Sequence, residues 1–146
     1  MTRTLPPVAL ASLAAATQAA VVRGRRPTPL SLLGAGLLAA PSIYLLTGSV
    51  RRFRRLGTTV DPRDGAAPSA LVTTGPNAWS RNPMYAGMVG LLLAHSAVRR
   101  SAPAVIPAAL FGLWIDLTQI ASEEQQLAAR FGPQFDAYRR RVRRWL

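Results

Sequence analysis

The chain has 146 residues, 49% of them hydrophobic, and its 18 basic against 6 acidic side chains give a formal charge of +12. This length fits one domain, and the long apolar stretches exclude a disordered basic protein. The chain contains no cysteine, which excludes a disulfide framework, a thiolate metal site and a cysteine nucleophile.

Four stretches with few or no charged side chains predict membrane-spanning helices. The first covers residues 4–22 and the second residues 28–48, and each holds about the 20 residues that a helix needs to cross a bilayer core. The third covers residues 83–98, and the fourth covers residues 102–121 and is interrupted only by Asp116. The predicted fold class is therefore all-α, a polytopic membrane helical bundle of about four transmembrane helices.

Two alternatives to this interpretation concern the first stretches. The basic start, the apolar run and the small residues around Ala14 to Ala20 also fit a secretory signal, which would remove one helix. A soluble four-helix bundle would need a polar face on each helix, and the first two stretches have hardly any polar side chains. The membrane interpretation holds whether the first segment is a transmembrane helix or a secretory signal, because three further stretches remain.

Two segments outside the spans are predicted to lie at the membrane surface. Residues 51–81 form a connector with many glycines and prolines, too interrupted for a regular helix. Residues 123–146 repeat apolar side chains at helical spacings with arginines between them, which predicts an interfacial amphipathic helix. A break in this helix is expected near Gly132 and Pro133. Residues 1–146 together are interpreted as a single integral membrane domain.

The arginines predict the orientation of the chain in the membrane. Thirteen of the eighteen lie on the side that holds both termini and the connector, and five lie in the two short loops opposite. Because positive charge near span ends is retained in the cytoplasm, both termini are predicted to be cytoplasmic. The arginine-rich segments also predict contact with anionic lipid head groups, at roughly 1 kcal/mol for each arginine near the surface. Nucleic acid is not needed to explain the charge.

The sequence SRNPMY at residues 80–85 is the first of three chemically suggestive features. Asn is a good N-cap and Pro a good first helical residue, so Asn82 and Pro83 in part only mark the start of the third span. Arg81 and Tyr85 are less well explained in this way. Because the N-terminus of a helix suits an anionic group, these residues are candidates for a binding site.

The second feature is a polar stripe on the fourth span. Asp116, Gln119 and Glu123 project from one helix face, with Glu124 about 80° round. An intramembrane carboxylate facing lipid is costly, so Asp116 is expected to face the bundle, an arginine or a water-filled cavity. Pairing with an arginine in the range Arg51 to Arg55 is the structural alternative. The adjacent Glu123 and Glu124, on the most basic side of the chain, favour a site for a cationic ligand.

The third feature is His95, near the far end of the third span. It lies about 80° from Tyr85 around the helix, so we interpret it as a packed or interfacial histidine rather than a catalytic one. The sequence contains no HExxH motif, glycine-rich phosphate loop or Ser-His-Asp spacing, and no metal site is predicted.

These residues, in this order, resemble the isoprenylcysteine carboxyl methyltransferase and phospholipid methyltransferase family. The resemblance covers roughly residues 55–146 and rests on GTTV at 57–60, LVTTGP at 71–76, SRNPMYAG at 80–87, EEQQL at 123–127, and residues 131–138. Members of this family are small membrane enzymes that use S-adenosylmethionine, with an Arg-His-Pro-x-Tyr-x-Gly motif opening one helix and a Glu-Glu pair closing the next. The resemblance implies that the cofactor is bordered by Arg81, Asn82, Pro83, Tyr85, Gly87, Glu123 and Glu124.

Two departures from the family pattern affect what the resemblance implies. Asn82 replaces the histidine of the motif, and it retains the ability to cap the helix and to donate a hydrogen bond. Asn77 and Ala78 stand where family members often have an aromatic residue and an arginine. The cofactor site is therefore better supported than the site for the methyl acceptor.

The resemblance and the charge pattern imply the same mechanism. Glu123 and Glu124 are expected to bind the ammonium group or ribose hydroxyls of S-adenosylmethionine, Arg81 to bind its carboxylate, and Tyr85 to pack on it. The acceptor is expected to be a lipophilic small molecule or a lipidated substrate, with a prenylcysteine-like carboxylate, a lipid amine or a thiol as the reacting group. A protonated amine would need a general base, and Asp116 is the candidate.

Two other functions fit parts of the sequence. A small membrane subunit or a proton- or ion-coupled carrier would use Asp116, but it leaves Arg81, Tyr85 and the paired glutamates unexplained. A basic RNA-binding module would explain only the charge. The predicted function is therefore S-adenosylmethionine-dependent methyl transfer to a lipophilic acceptor at the cytoplasmic membrane face.

Overall fold

A computed structural model of the protein describes residues 5–22, 26–58 and 68–146. In these residues the α-helices are α1 (Pro7–Val21), α2 (Pro29–Arg55), α3 (Pro83–Val98), α4 (Val105–Ile115), α5 (Ala121–Phe131) and α6 (Pro133–Arg141). A π-helical turn, Asp116–Ile120, joins α4 to α5, and 3₁₀ turns at Gly75–Ala78 and Ala102–Ala104 precede α3 and α4. The described ranges contain no β-strand, so the all-α prediction is confirmed.

Two helices are long and apolar enough to cross a membrane. They are α2, with 27 residues, and the continuous 30-residue helix Ala102–Phe131 that runs through α4, the π-helical turn and α5. Only 17% of the apolar window of α2 is buried in the protein, so most of its apolar side chains face outward, as lipid-facing side chains do. The apolar helices α1 and α3 have 15 and 16 residues, and the count of four spans therefore stays a prediction.

Helices α2 and α3 pack closely because two glycines of α3 face α2. A Cβ atom on Gly87 would lie 2.6 Å from the carbonyl oxygen of Ser42, and one on Gly90 would collide with the Ser42 hydroxyl. Glycine is the residue that permits such a close approach of two helix backbones. Gly87, which the resemblance assigned to the cofactor border, therefore serves helix packing, because its missing side chain points at α2.

Gln18 fixes α1 against the far end of α3 and the start of α4. Its buried Nε2 donates to the carbonyl oxygens of Leu92 and Ala104 and to Ser96 Oγ, at 2.7 to 3.0 Å. Its Oε1 lies 2.9 Å from His95 Nδ1, and because Oε1 can only accept, the hydrogen-bond network assigns a proton to Nδ1. His95 is thus a packed histidine, as the sequence predicted, and the C-terminal ends of α1 and α3 lie together.

The C-terminal tail is not one helix. The chain turns at Gly132, which has a φ of +44°, and Pro133 begins α6, so the break lies where the sequence places it. Glycine adopts positive φ without strain, and proline starts a helix more readily than it continues one. After Arg141 the backbone becomes extended at Val142. The interfacial location of this tail remains a prediction.

The predicted connector begins later than the sequence suggests, because α2 continues through Arg55. Residues 59–67 of the connector, which include Arg63, lie outside the described residues. The same applies to Arg3, Arg23 and Arg25, three of the arginines used to predict the orientation.

Candidate functional site

A cleft of about 820 Å³, counted with the part that opens to solvent, lies where the start of α3 meets α5 and α6. Its polar lining consists of Asn77, Arg81, Asn82, Tyr85, Glu123, Glu124, Gln126 and Tyr138. Its apolar lining includes Phe53, Leu71, Val72, Pro83, Met84, Leu127 and Phe135. The fold therefore brings together in one cleft every residue that was predicted to border a cofactor except Gly87, which faces α2.

Glu124 lies between two arginines. Arg81 Nε and Nη2 donate to Glu124 Oε1 at 3.0 and 2.6 Å, and Arg144 Nη2 donates to Glu124 Oε2 at 2.6 Å. The side chains of Arg81, Glu124 and Arg144 are 13%, 18% and 37% exposed, so these charge-assisted bonds are partly shielded from water and stronger for it. The hydrogen bond that Arg144 donates to Glu124 raises the pKa of the Arg144 guanidinium. Both oxygens of Glu124 are thus fixed by cationic donors.

Arg81 has more partners within the protein than the sequence predicts. Besides Glu124, its Nη1 donates to the carbonyl oxygen of Val142 at 2.7 Å, and its backbone N–H donates to the carbonyl oxygen of Arg143 at 2.9 Å. The guanidinium that was expected to bind a cofactor carboxylate therefore also joins the start of α3 to α5 and to the C-terminal tail.

Glu123 is held by two neutral donors. The Tyr85 hydroxyl and Gln119 Nε2 donate to Glu123 Oε1 at 2.6 and 2.8 Å. Tyr85 and Gln119 are both buried, so the carboxylate is oriented by groups that cannot easily move. The predicted polar stripe is thus realised between Gln119 and Glu123, and Tyr85 reaches the carboxylate through its hydroxyl.

Asp116 pairs with the C-terminal tail. Trp145 Nε1 donates to Asp116 Oδ1 at 2.9 Å, and Arg144 Nη1 lies 3.4 Å from each carboxylate oxygen. Asp116 thus faces an arginine, as expected, but the alternative that named Arg51 to Arg55 as its partner is wrong, because the tail returns to the junction of α4 and α5. Asp116 does not line the cleft, and its carboxylate is already bound. The structure thus gives no support to Asp116 as a general base.

Asn82 occupies the N-cap position of α3, and Pro83 is the first helical residue, as predicted. The side chain of Asn82 makes no capping hydrogen bond. Its Nδ2 donates instead to the carbonyl oxygen of Arg144 at 3.1 Å, and Ser80 Oγ donates to the same oxygen at 3.1 Å. The helix-start residues therefore bind the tail.

Tyr138 and Asn77 hold one wall of the cleft, and sequence reasoning gave them no such role. The Tyr138 hydroxyl donates to the carbonyl oxygen of Asn77 at 2.6 Å, and Ser49 Oγ donates to Asn77 Oδ1 at 3.0 Å. Burial raises the pKa of Tyr138 to about 12, so its hydroxyl keeps its proton at neutral pH. These bonds tie the turn Gly75–Ala78 to α2 and α6.

The ranges that the structure describes contain no group of three His, Asp or Glu side chains that could hold a metal ion. The ionisable side chains of the cleft instead form two held carboxylates beside an arginine pair. The carboxylate oxygens of such an arrangement can accept hydrogen bonds from cationic and hydroxyl groups.

Fold and site together define a helical membrane protein with an amphipathic ligand cleft at the ends of its helices. The phospholipid methyltransferase family matches residues 30–134. The protein belongs to this family, which lies within the isoprenylcysteine carboxyl methyltransferase-like group. The match confirms the resemblance up to residue 134 and extends it to include α2.

Further similarity is limited to one part of the chain. An uncharacterized protein of Haemophilus influenzae is 36% identical over 63 residues, which is 43% of this chain and the full length of that protein. No solved structure matches the chain significantly. The family therefore indicates a membrane methyltransferase, without specifying the acceptor.

Proposed function

We propose that the protein is an S-adenosylmethionine-dependent methyltransferase that acts on a lipophilic acceptor at the cytoplasmic face of the membrane. The observation that carries this proposal is the placement of Glu123, Glu124 and Arg81 in one cleft of a chain that belongs to the phospholipid methyltransferase family. Each motif alone is a weak signal, and the cleft joins them into one site.

The residues of the cleft fit the chemistry of S-adenosylmethionine. Its ammonium group and ribose hydroxyls match the carboxylates of Glu123 and Glu124. Its carboxylate matches the positive charge of Arg81, and its adenine matches the apolar lining, which includes the half-buried aromatic ring of Phe53. When bound, it supplies an electrophilic methyl group on a sulfonium.

The protein's own contribution is to hold the acidic side chains ready. Arg81 and Arg144 fix Glu124, while Tyr85 and Gln119 fix Glu123, so that neither carboxylate has to be ordered when a ligand binds. Methyl transfer is an in-line displacement, and alignment with exclusion of water accounts for most of its acceleration. The apolar lining of the cleft serves the exclusion of water.

The proposed acceptor is a lipophilic small molecule or lipidated substrate that carries a carboxylate, amine or thiol. The proposal places both termini in the cytoplasm and the arginine-rich segments against anionic lipid head groups. It is supported by the contact between the C-terminal ends of α1 and α3, which Gln18 joins, because two spans that cross the membrane in the same direction end at the same face. The carrier alternative loses its support because Asp116 is bound by Arg144 and Trp145.

Calorimetric titration of the detergent-purified protein with S-adenosylmethionine and S-adenosylhomocysteine tests the proposal. We expect micromolar binding, and a loss of binding in the double variant Glu123→Gln, Glu124→Gln, because an amide cannot supply the charge that holds an ammonium group. Asp136→Asn is the matched control, since it removes a carboxylate that pairs with Arg139 on the exposed face of α6. Absence of binding to folded wild-type protein overturns the proposal.

A further inference from the structure

The segment Val142–Trp145, which we name the C-terminal strap, crosses the start of α3. Its backbone carbonyls accept hydrogen bonds from the residues that precede that helix. Arg81 donates to the carbonyl of Val142 through Nη1 and to the carbonyl of Arg143 through its backbone N–H. The path of the strap is thus fixed by a residue that also binds Glu124.

A second set of bonds fixes the next residue of the strap. Ser80 Oγ and Asn82 Nδ2 both donate to the carbonyl oxygen of Arg144 at 3.1 Å. Ser80 is fully buried and Asn82 nearly so, so these donors have no bulk water to bind instead. With its carbonyl anchored in this way, Arg144 has a defined position from which its side chain extends.

The Arg144 side chain lies between two acidic side chains. Its Nη2 is 2.6 Å from Glu124 Oε2, and its Nη1 is 3.4 Å from both oxygens of Asp116. Asp116 is also bound by Trp145 Nε1 at 2.9 Å. Asp116 and Glu124 are eight residues apart on a continuous helix, about 12 Å at 1.5 Å per residue, so the guanidinium links two carboxylates that do not touch.

We propose that Arg144 is a positioning residue for Glu124, and that Asp116 and Trp145 act on the cleft through Arg144. This inference rests on the proposed function, because Glu124 is the group that contacts the ligand. Arg144 orients Glu124 Oε2 through its Nη2, and Asp116 accepts from Nη1 of the same guanidinium and so keeps Nη2 in place. The planar guanidinium can bind two carboxylates at once through fixed donors, whereas the ammonium group of a lysine lacks this geometry.

The proposal predicts non-additive effects on ligand affinity. Arg144→Gln removes the charge-assisted bond to Glu124 and weakens binding of S-adenosylhomocysteine by about tenfold to a hundredfold, the range for one such bond. Asp116→Asn weakens binding less. The double variant binds no more weakly than Arg144→Gln, because Asp116 has no route to Glu124 once Arg144 is gone.

Calorimetric titration of the four proteins of this cycle, each as the full chain in detergent, is the first measurement. Arg144→Lys retains the charge and is expected to recover only part of the affinity. Arg140→Gln is the matched control, because it removes the same charge from an exposed position on α6 and is expected to bind as the wild type does.

Hydrogen exchange of the ligand-free proteins is the second measurement. The backbone N–H of Arg81 is bonded to the strap, so its exchange is expected to accelerate in Arg144→Gln and Asp116→Asn and to stay unchanged in Arg140→Gln. A merely structural tail would accelerate this exchange without changing the ligand affinity of the cleft.

The outcomes separate this inference from the proposed function. If the wild type binds the ligand and Arg144→Gln binds it equally well, or if the two substitutions are additive, the positioning role is overturned while the proposed function stands. If the folded wild type binds no ligand, the proposed function fails, and the positioning role that rests on it falls as well. Loss in Arg144→Gln with non-additivity in the double variant supports the inference.

Discussion

Replacing Gly87 by alanine tests whether glycine is needed at this position for helix packing or for ligand binding. The added Cβ would lie 2.6 Å from the carbonyl oxygen of Ser42 and 3.1 Å from the Cβ of Leu46. A backbone carbonyl cannot rotate away as a side chain can, so α2 and α3 must separate along this contact. The cleft is not lined by Gly87, and the substitution therefore acts on the folded protein before it acts on a ligand.

The expected loss of stability follows from two opposing effects. Overpacking of a tight contact costs about 1–3 kcal/mol, while alanine gains about 1 kcal/mol over glycine in a helix. Because the clash is with backbone, we place the overpacking cost of Gly87→Ala near the upper end of its range, at about 3 kcal/mol. After the helical gain is subtracted, the expected net loss of stability is about 2 kcal/mol. Gly34→Ala in α2 is the control, since nothing lies within 4 Å of its added Cβ and only the helical gain remains.

Thermal unfolding in detergent, monitored by circular dichroism, measures the difference in stability between Gly87→Ala and Gly34→Ala without any ligand. Gly90→Ala offers a further test, because its Cβ meets the Ser42 hydroxyl. The substitution Ser42→Ala should restore part of the stability of Gly90→Ala and none of that of Gly87→Ala. If Gly87→Ala unfolds at the wild-type temperature while losing S-adenosylhomocysteine binding, the packing explanation is refuted and the glycine serves the ligand.

Three further predictions concern other parts of the fold. Gln18→Leu leaves the carbonyl of Ala104 and the Nδ1 proton of His95 without this partner and should cost about 2–3 kcal/mol of thermal stability, whereas Thr17→Val on the exposed face should cost little. Thr28→Ala removes the capping box of α2 and should lower stability by about 1 kcal/mol in the same assay. The pKa of Tyr138 is raised to about 12, so the folded state keeps a proton that the unfolded state loses near pH 10. Stability should therefore fall as the pH rises from about 10 to 12, and alkaline unfolding of Tyr138→Phe should lack this fall.

The helices were predictable because each depends on local composition. Runs without charge mark α2 and the helix from Ala102, and Gly132 with Pro133 marks the break before α6. The π-helical turn Asp116–Ile120 has no comparable signal, because the sequence of these residues is equally compatible with a regular α-helix. It depends on the packing around it rather than on its own sequence.

The partners of the site residues were less predictable because they depend on the path of the tail. Arg144 is one of eighteen arginines. In the sequence it cannot be distinguished from the neighbouring arginines, which we interpreted only as positive charge that sets the orientation in the membrane. Choosing between it and Arg51 to Arg55 as the partner of Asp116 requires knowing which segment returns to the start of α3. Gly87 shows the converse, because the structure gives this motif position a contact with α2 that the motif alone does not predict.

The strap also sets an order of events during biosynthesis. Asp116 is joined to a partner 28 residues later in the chain, and at about 5–20 residues per second that partner is made roughly one to six seconds afterwards. The helix that contains Asp116 is therefore synthesised before the side chains that bind this carboxylate. The bond between Asp116 and the C-terminal strap forms late in biosynthesis, and before then the carboxylate is stable only where water can solvate it.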